Sequence, residues 1–350
     1  MKIISIVGAR PQFIKEAVIN KELEKKGIKE VLVHSGQHYD SNMSEIFFNK
    51  LKIKNPDYNL NVGSGTHAQM TAKIMIEFEE IVKKENPDIV LVYGDTNTTL
   101  AGAIVASKLK IPVAHIEAGI RQEPKDMPEE INRVMTDSIS KYLFCASKSS
   151  VENLKKENKE GIFVGDTMYD LYKHMEETFN EGNIKKYGLK KENYILATIH
   201  RDFNTDKKEK LEKIIDQLNK INDEMQVVIP LHPRTKNKIQ EFQLKPEFKI
   251  IEPLGYIEIQ SLAKYSKFVV TDSGGLQKEA YYGGKRSIVV MPDTGWRELV
   301  ENKWNKLSES DEIYEKYNQM KDENVDYPDN VYGDGDCSSR IVDIISKFEG

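Results

Sequence analysis

Two hydrophobic periods alternate along this chain, and that alternation limits its fold more than any other feature. Short β-rich runs in the first half (IISIV, EVLVH, DIVLVY, PVAHI, YLFCA) exchange with longer amphipathic stretches such as MTAKIMIEFEEIVKK. The second half repeats the pattern with YILATI, QVVIPL, FKII, FVVT and SIVVM around stretches such as KEKLEKIIDQLNKI, and GIFVG lies at the seam. Strands that are apolar without a break are buried on both faces. They belong in parallel sheets whose crossovers are helices. The pattern pauses over the polar stretch NEGNIKKYGLKKEN and restarts near Tyr194. A chain of 350 residues can build two cores. The expected class is α/β, with one parallel-sheet domain over 1–168 and a second over 169–337. The tail CSSRIVDIISKF reads as a last amphipathic helix.

Composition narrows the partners. A formal net charge of −5 gives no broad surface for nucleic acid, so any phosphate must meet a few placed Arg, Lys and His residues. Cys145 and Cys337 show neither metal spacing nor a disulfide framework, and a reduced cytoplasmic pair is expected. The apolar start of MKIISIVGARPQF is too short for a secretory signal, and no stretch reaches the length of a membrane span. The expectation is a cytoplasmic protein without membrane or nucleic-acid partners.

Ligands of parallel sheets sit beyond the C-terminal strand ends, so the text after each strand carries the chemistry. GARPQFIK follows the first strand, with Arg10 before a helix, Pro11 at its first position and Lys15 one turn inside. Two cations at a helix N-terminus suit an anion, or make an ordinary surface turn. GDTNTTLAGA places Asp95 at a helix start, where a capping role is common. In HIEAGIR, Glu117 ends an apolar run, and a charge there needs a reason. Pro128-Glu129-Glu130 opens a helix, with Arg133 expected beside Glu129 four residues on. First-turn acids favoured by the macrodipole could account for one of the two glutamates. In the second half, His200-Arg201 and His232-Pro233-Arg234 follow strands, and FVVT runs into Asp272-Ser273-Gly274-Gly275, a helix start able to hold an anion. Together these suggest a diphosphate pocket. No HExxH or close Cys/His pair suggests zinc, and no GxGxxG after a strand suggests a nicotinamide.

In order and spacing, GARPQFIK, VYGDTNTTLAGA, HIEAGIR, MPEEINR, HRDFN, LHPRTK and TDSGGLQKEA resemble the non-hydrolysing UDP-N-acetylglucosamine 2-epimerases over nearly the whole chain. The resemblance implies the GT-B fold, two Rossmann-like domains facing across a cleft, with the helix over 338–350 crossing back onto the first. It implies no cofactor, neither NAD nor metal, a UDP-sugar substrate, a homodimer, and sugar supply for cell-surface polysaccharide or glycoprotein. It implies elimination of UDP to a 2-acetamidoglucal, then re-addition with the proton returned to the opposite face of C2. Carried over, Asp95, Glu117 and Glu129 match the catalytic carboxylates and His200 the catalytic histidine. Arg10, Lys15 and Arg133 match sugar-side residues. His232, Ser273, Gly274, Gly275, Glu279 and Arg297 match the UDP site.

The sequence departs from many members in three places. Gly36-Gln37-His38-Tyr39-Asp40-Ser41-Asn42 lacks the Arg-Glu/Gln-Met that many bacterial members use to bind an activating second UDP-GlcNAc. HRREN becomes HRDFN, and TERPE becomes Thr294-Gly295-Trp296-Arg297-Glu298. GARPQF, NMSEIFF, GTHAQMT, LQKEAYY and YGDGDCSSRI are closer to a subgroup acting on UDP-2,3-diacetamido-2,3-dideoxyglucuronate, which tilts the substrate expectation that way over UDP-GlcNAc. Alternatives are a hydrolysing relative that releases free N-acetylmannosamine, a GT-B glycosyltransferase, and a UDP-sugar sensor. Three carboxylates weigh against the last two.

Overall fold

The computed structural model describes residues 1–36 and 54–348, apart from the side chain of Arg10. It divides into two compact units, Met1–Lys173 with Asn330–Gly350, and His174–Asp329. Sequence placed the divisions at 168/169 and 337/338. The segment from Asn330 to the last helix thus groups with the first unit.

The first unit holds a seven-stranded sheet in the order β3-β2-β1-β4-β5-β6-β7. Its strands are β1 (Lys2–Val7), β2 (Lys29–His34), β3 (Tyr58–Asn59), β4 (Ile89–Tyr93), β5 (Val113–Ile116), β6 (Tyr142–Cys145) and β7 (Ile162–Phe163). The second holds six strands in the order β10-β9-β8-β11-β12-β13. These are β8 (Ile195–Thr198), β9 (Val227–Pro230), β10 (Lys249–Ile251), β11 (Phe268–Thr271), β12 (Ser287–Val289) and β13 (Lys306–Leu307). Every pairing is parallel. All five residues of β4 are buried, which is why the run IVLVY shows no alternation. The α/β expectation of two parallel sheets is borne out. Sequence reading missed β3 and β13, because each is two residues long with no longer apolar run around it; β7 is as short but lies in the run GIFVG.

Both sheets reverse their strand order once, between β1 and β4 and between β8 and β11. Crossovers leave to opposite sides at such a point and the loops part, which opens a crevice. Gln12, near the start of the helix Arg10–Lys25, ties the first pair of loops together. Its Oε1 accepts from the N–H groups of Gly8 and Ala9 at 2.7 and 3.0 Å, and its Nε2 donates to Tyr93 O at 2.6 Å and Thr99 Oγ1 at 2.9 Å. A Cβ at Gly8 would lie 2.3 Å from both Ser35 Oγ and Thr98 Oγ1. Close packing inside the protein therefore demands that glycine.

The last helix, Cys337–Ile345, buries Ile341, Val342 and Ile345 and packs on Arg10–Lys25 within the same unit. Lys26 pairs with Asp343 across that contact. The helix has no side-chain cap of its own at Asp336. Buried Asp170 supplies one from a distance, accepting from Cys337 N at 3.0 Å, Ser338 N at 2.6 Å and Ser338 Oγ at 2.7 Å. Asp170→Ala leaves those donors buried without acceptors. It should cost about 2–3 kcal/mol, read as a lower denaturant midpoint at unchanged slope; an unchanged midpoint would contradict the remote cap.

Candidate functional site

In the first unit, the loops after β4 and β5 and the helix Pro128–Ile139 bring carboxylates and cations together. Glu117 directly follows β5 with φ 74°, a left-handed conformation that costs a non-glycine residue about 1–2 kcal/mol. It is held there because its N–H and that of Ala118 both reach Phe144 O, at 3.1 and 3.0 Å. Its carboxylate lies 2.6 Å from Lys15 Nζ, with the two side chains 11 and 5 % exposed. This pairing explains how a charge can end an apolar run. Lys15 is thus neutralised within the unit. Gly94, at φ 64°, faces the pair, and a Cβ there would lie 3.6 Å from Glu117 Oε1.

Asp95 is not a cap. Thr96 caps the helix Asn97–Lys108, accepting from Thr99 N at 3.3 Å. Asp95 instead pairs with Arg133, which also pairs with Glu130, and its carbonyl accepts from Asn132 Nδ2 at 3.0 Å. Burial works against the charge of Arg133, but Asp95 and Glu130 more than offset it and raise its pKa above the ordinary value. The expected neighbour of Arg133 was Glu129, and this is corrected: Glu130 takes the place. Glu130 sits on the buried side of the first turn, also accepting Gln122 N–H at 3.1 Å, and is three residues from Arg133. Burial pushes the Glu130 carboxyl up despite Arg133. Glu129 is half-buried on the neighbouring side of that turn. The structural role foreseen for one of the two glutamates falls to Glu130.

In the second unit, His200 and the Asp272 turn meet where β8 and β11 diverge. Asp272 is fully buried. Its carboxylate lies 3.0 Å from His200 Nδ1 and accepts from His200 N, Arg201 N and Asn204 Nδ2 at 2.9–3.1 Å. With Nδ1 on Asp272, Nε2 is the nitrogen left to meet a ligand. Ser273 caps the helix Gly274–Tyr282, accepting from Leu276 N at 3.3 Å. A Cβ at Gly274 would meet nothing within 4 Å, and one at Gly275 only Ser273 Oγ at 3.9 Å. Unlike Gly8, these glycines answer to no neighbour inside the protein. Trp296 Nε1 donates to Gly274 O at 3.0 Å behind the turn. Glu279 is buried and accepts from Gln260. His232 caps the helix Pro233–Glu241, its Nδ1 accepting from Arg234 N at 3.2 Å, so a neutral ring presents Nε2–H outward. Arg297 is exposed and pairs with Asp293 at 2.9 Å. Among the described residues, no three of His, Cys, Asp and Glu converge to hold a metal ion.

Comparison with known proteins decides the family. The model of UDP-N-acetylglucosamine 2-epimerase matches residues 21–346. The chain belongs to the UDP-N-acetylglucosamine 2-epimerase family. A UDP-2,3-diacetamido-2,3-dideoxy-D-glucuronate 2-epimerase of Pseudomonas aeruginosa is 45% identical, covering 99% of this chain and 100% of that one. The crystal structure of the Methanocaldococcus jannaschii UDP-GlcNAc 2-epimerase, in complex with UDP-GlcNAc and UDP, is 40% identical with a TM-score of 0.91, over 99% of this chain and 100% of that one. A glycosyltransferase from Rickettsia africae, 15% identical with a TM-score of 0.55 over 98% of this chain and 91% of that one, shares the fold alone. The chain is thus an epimerase of the UDP-N-acetylglucosamine 2-epimerase type, acting on UDP-N-acetylhexosamine nucleotide sugars.

Within this epimerase, sequence reasoning named Asp95, Glu117, Lys15 and Arg133, and these are in contact as two ion pairs. It gave no role to Asp272, which positions His200, to Gln12, which ties the loops after β1 and β4, or to Asn132, which holds the Asp95 carbonyl. Asp272 stands directly after an apolar run, the same signal that drew attention to Glu117. The side chain of Arg10 and the segment 37–42 lie outside the described residues. No helix among the described residues is long and apolar enough to cross a membrane.

Burial, then the charges of His200 and Arg234, lower the pKa of His232. Below the ordinary histidine value of about 6.5, the unfolded chain therefore binds more protons than the folded one. Stability should rise with pH through that window and level off above it. An NMR titration should place the His232 midpoint under about 6.5, and His200→Ala should move it upward; a midpoint at or above the ordinary value would contradict this environment.

Proposed function

We propose that this epimerase inverts C2 of a UDP-linked 2-acetamido sugar by eliminating UDP and adding it back, and that its substrate is UDP-2,3-diacetamido-2,3-dideoxyglucuronate. The 45% identical relative of that name, matched end to end, supports this substrate. UDP-GlcNAc is the second reading, favoured by the 40% identical structure that holds it. The observation that carries the chemistry is the paired set at the β4 and β5 ends: Glu117 on Lys15 and Asp95 on Arg133, with Gly94 against the first pair.

C2 of such a sugar has no adjacent carbonyl to acidify its proton. Its removal has to be coupled to departure of the C1 substituent. One carboxylate takes the C2 proton while the C1–O bond to UDP breaks, leaving a 2-acetamidoglucal and UDP. A carboxyl on the other face then returns a proton to C2 as UDP re-adds at C1. A cation beside each carboxylate favours its ionised form, the form that can accept the C2 proton. Glu129, half-buried at a helix N-terminus, is a third acid for this exchange. Arg10 is assigned to the sugar side with Lys15.

The second unit is assigned the leaving group. The Ser273-Gly274-Gly275 turn offers a helix N-terminus with open space above its glycines, which suits a diphosphate. His232 Nε2–H donates to the phosphates, and Nε2 of His200, whose Nδ1 is held by Asp272, donates to them when the ring is protonated. Glu279 suits the ribose hydroxyls, and Arg297 is assigned to the same UDP set. The reaction needs no metal or nicotinamide. An exposed apolar stripe, Ile131, Met135 and Ile139, supports a homodimer. The free, buried thiols Cys145 and Cys337 suit a cytoplasmic setting, where the product would supply surface-polysaccharide or glycoprotein synthesis.

Incubation with each UDP-sugar in D2O should place deuterium at C2 and give both epimers with UDP attached, without added NAD or metal. Glu117→Gln should abolish the exchange while UDP affinity holds. Free sugar as the main product would make the enzyme a hydrolase, and absence of exchange with every candidate would sink the epimerase mechanism. Gly275→Ala adds a methyl that touches nothing inside the protein. Stability should hold or rise by up to about 1 kcal/mol, while calorimetry should show UDP binding about tenfold weaker, about 1.4 kcal/mol. Unchanged affinity would remove the turn from the UDP site.

A further inference from the structure

His115 lies within β5, fully buried, and both of its ring nitrogens are engaged. Nδ1 is 2.7 Å from Asp137 Oδ1, and Nε2 is 2.7 Å from the carbonyl oxygen of Gly94. A carbonyl oxygen only accepts, so Nε2 carries a proton. Asp137 is held as a carboxylate. Its Oδ2 accepts from Gly119 N–H at 3.1 Å and from Arg121 at 2.8 Å. Burial opposes its charge, but the His115 hydrogen bond and the Arg121 guanidinium more than offset this and keep its carboxyl below the usual range. A carboxylate also only accepts, so Nδ1 donates as well. A ring that donates from both nitrogens is an imidazolium. The charges around it alternate in sign: His115, Asp137, Arg121 and Glu157, the last bound by Arg121 at 2.6 and 2.8 Å. Such pairing removes the penalty of an isolated buried cation.

The group that His115 holds matters more than the pair itself. The Gly94 carbonyl belongs to the peptide that carries the N–H of Asp95. On the far side of Asp95, its own carbonyl accepts from Asn132 Nδ2 at 3.0 Å. The two peptides flanking the Asp95 Cα are therefore clamped, one by His115 and one by Asn132. Gly94 itself faces the Glu117–Lys15 pair. Its N–H donates to Ile116 O at 2.9 Å, the carbonyl between His115 and Glu117.

We propose that His115, kept doubly protonated by Asp137, is a positioning residue for the epimerisation: it anchors the Gly94 carbonyl and so fixes Asp95 relative to Glu117. It acts through the backbone and does not touch the sugar. The proposal rests on Asp95 and Glu117 being the proton-transferring carboxylates. Displacing such a group by about 1 Å is enough to slow a reaction about 100-fold without weakening binding.

Two measurements test it. In protein labelled with 15N-histidine, at pH 7, one ring should show two N–H protons and nitrogen shifts of an imidazolium, and this signature should vanish in His115→Asn. A single ring proton would mean a neutral histidine on a protonated Asp137 and would overturn the charge assignment. His115→Asn reaches only one of the two acceptors, so kcat should fall about 100-fold while KM stays within about twofold and UDP affinity is unchanged. Asp137→Asn should lose the second ring proton and show the same split, and it carries the test if the first variant does not fold. Wild-type kcat in the folded variants, or kcat, KM and UDP affinity failing together, would overturn the positioning role. If instead Asp95→Asn and Glu117→Gln retained full deuterium exchange, the proposed chemistry would fail while the His115 ring signature stood.

Discussion

In a parallel sheet every strand needs a crossover, and where successive crossovers leave on opposite sides the strand ends are left uncovered. Each unit of this protein has one such place, between β1 and β4 and between β8 and β11. The candidate chemistry depends on those two gaps. In the first, Gln12 binds the loop after β1 to the loop after β4, and Lys15 follows on the same helix. In the second, Asp272 at the end of β11 binds the loop after β8 and aims His200. The same topological accident is held together by an amide in one unit and by a carboxylate in the other.

Charge has to be kept nearly dry in the first unit, and the protein does so by pairing. Glu117 has Lys15, Asp95 and Glu130 have Arg133, and Asp137 has Arg121 and His115. Pairs of this kind contribute little net stability, but removing one member leaves a charge that burial penalises heavily, about 3–5 kcal/mol. They therefore hold geometry firmly. Glu117 sits in a left-handed conformation that a glycine would adopt more cheaply, and two hydrogen bonds to Phe144 O keep it there. Strain at a site of proposed proton transfer is consistent with selection for position over comfort.

The glycines divide by what demands them. Gly8 is required by the side chains of Ser35, just after β2, and Thr98, in the helix Asn97–Lys108, which would strike any Cβ. Gly94 is favoured by its positive φ. Gly274 and Gly275 are required by neither, since the space above them is open. In sequence all four look like turn glycines. Only the surroundings separate an internal constraint from open space, and that open space supports the proposed diphosphate at the Asp272-Ser273-Gly274-Gly275 turn.

Much was legible in advance. Unbroken apolar runs determined parallel sheets, because a strand buried on both faces cannot alternate, and the polar residues just past those runs marked the strand ends where Asp95, Glu117, His200 and Ser273 lie. β3 and β13 were not legible, since two residues with no longer apolar run around them carry no period, whereas β7, equally short, was marked by GIFVG. Nor were the partners: sequence paired Arg133 with Glu129, while the helix turned Glu130 inward and brought Asp95 across from another loop. Sequence by itself determined which residue types stand at the ends of which strands. Tertiary structure alone decided which of them touch, because hydrogen bonds and ion pairs reach only about 3 Å, a distance set by packing between segments far apart in the chain.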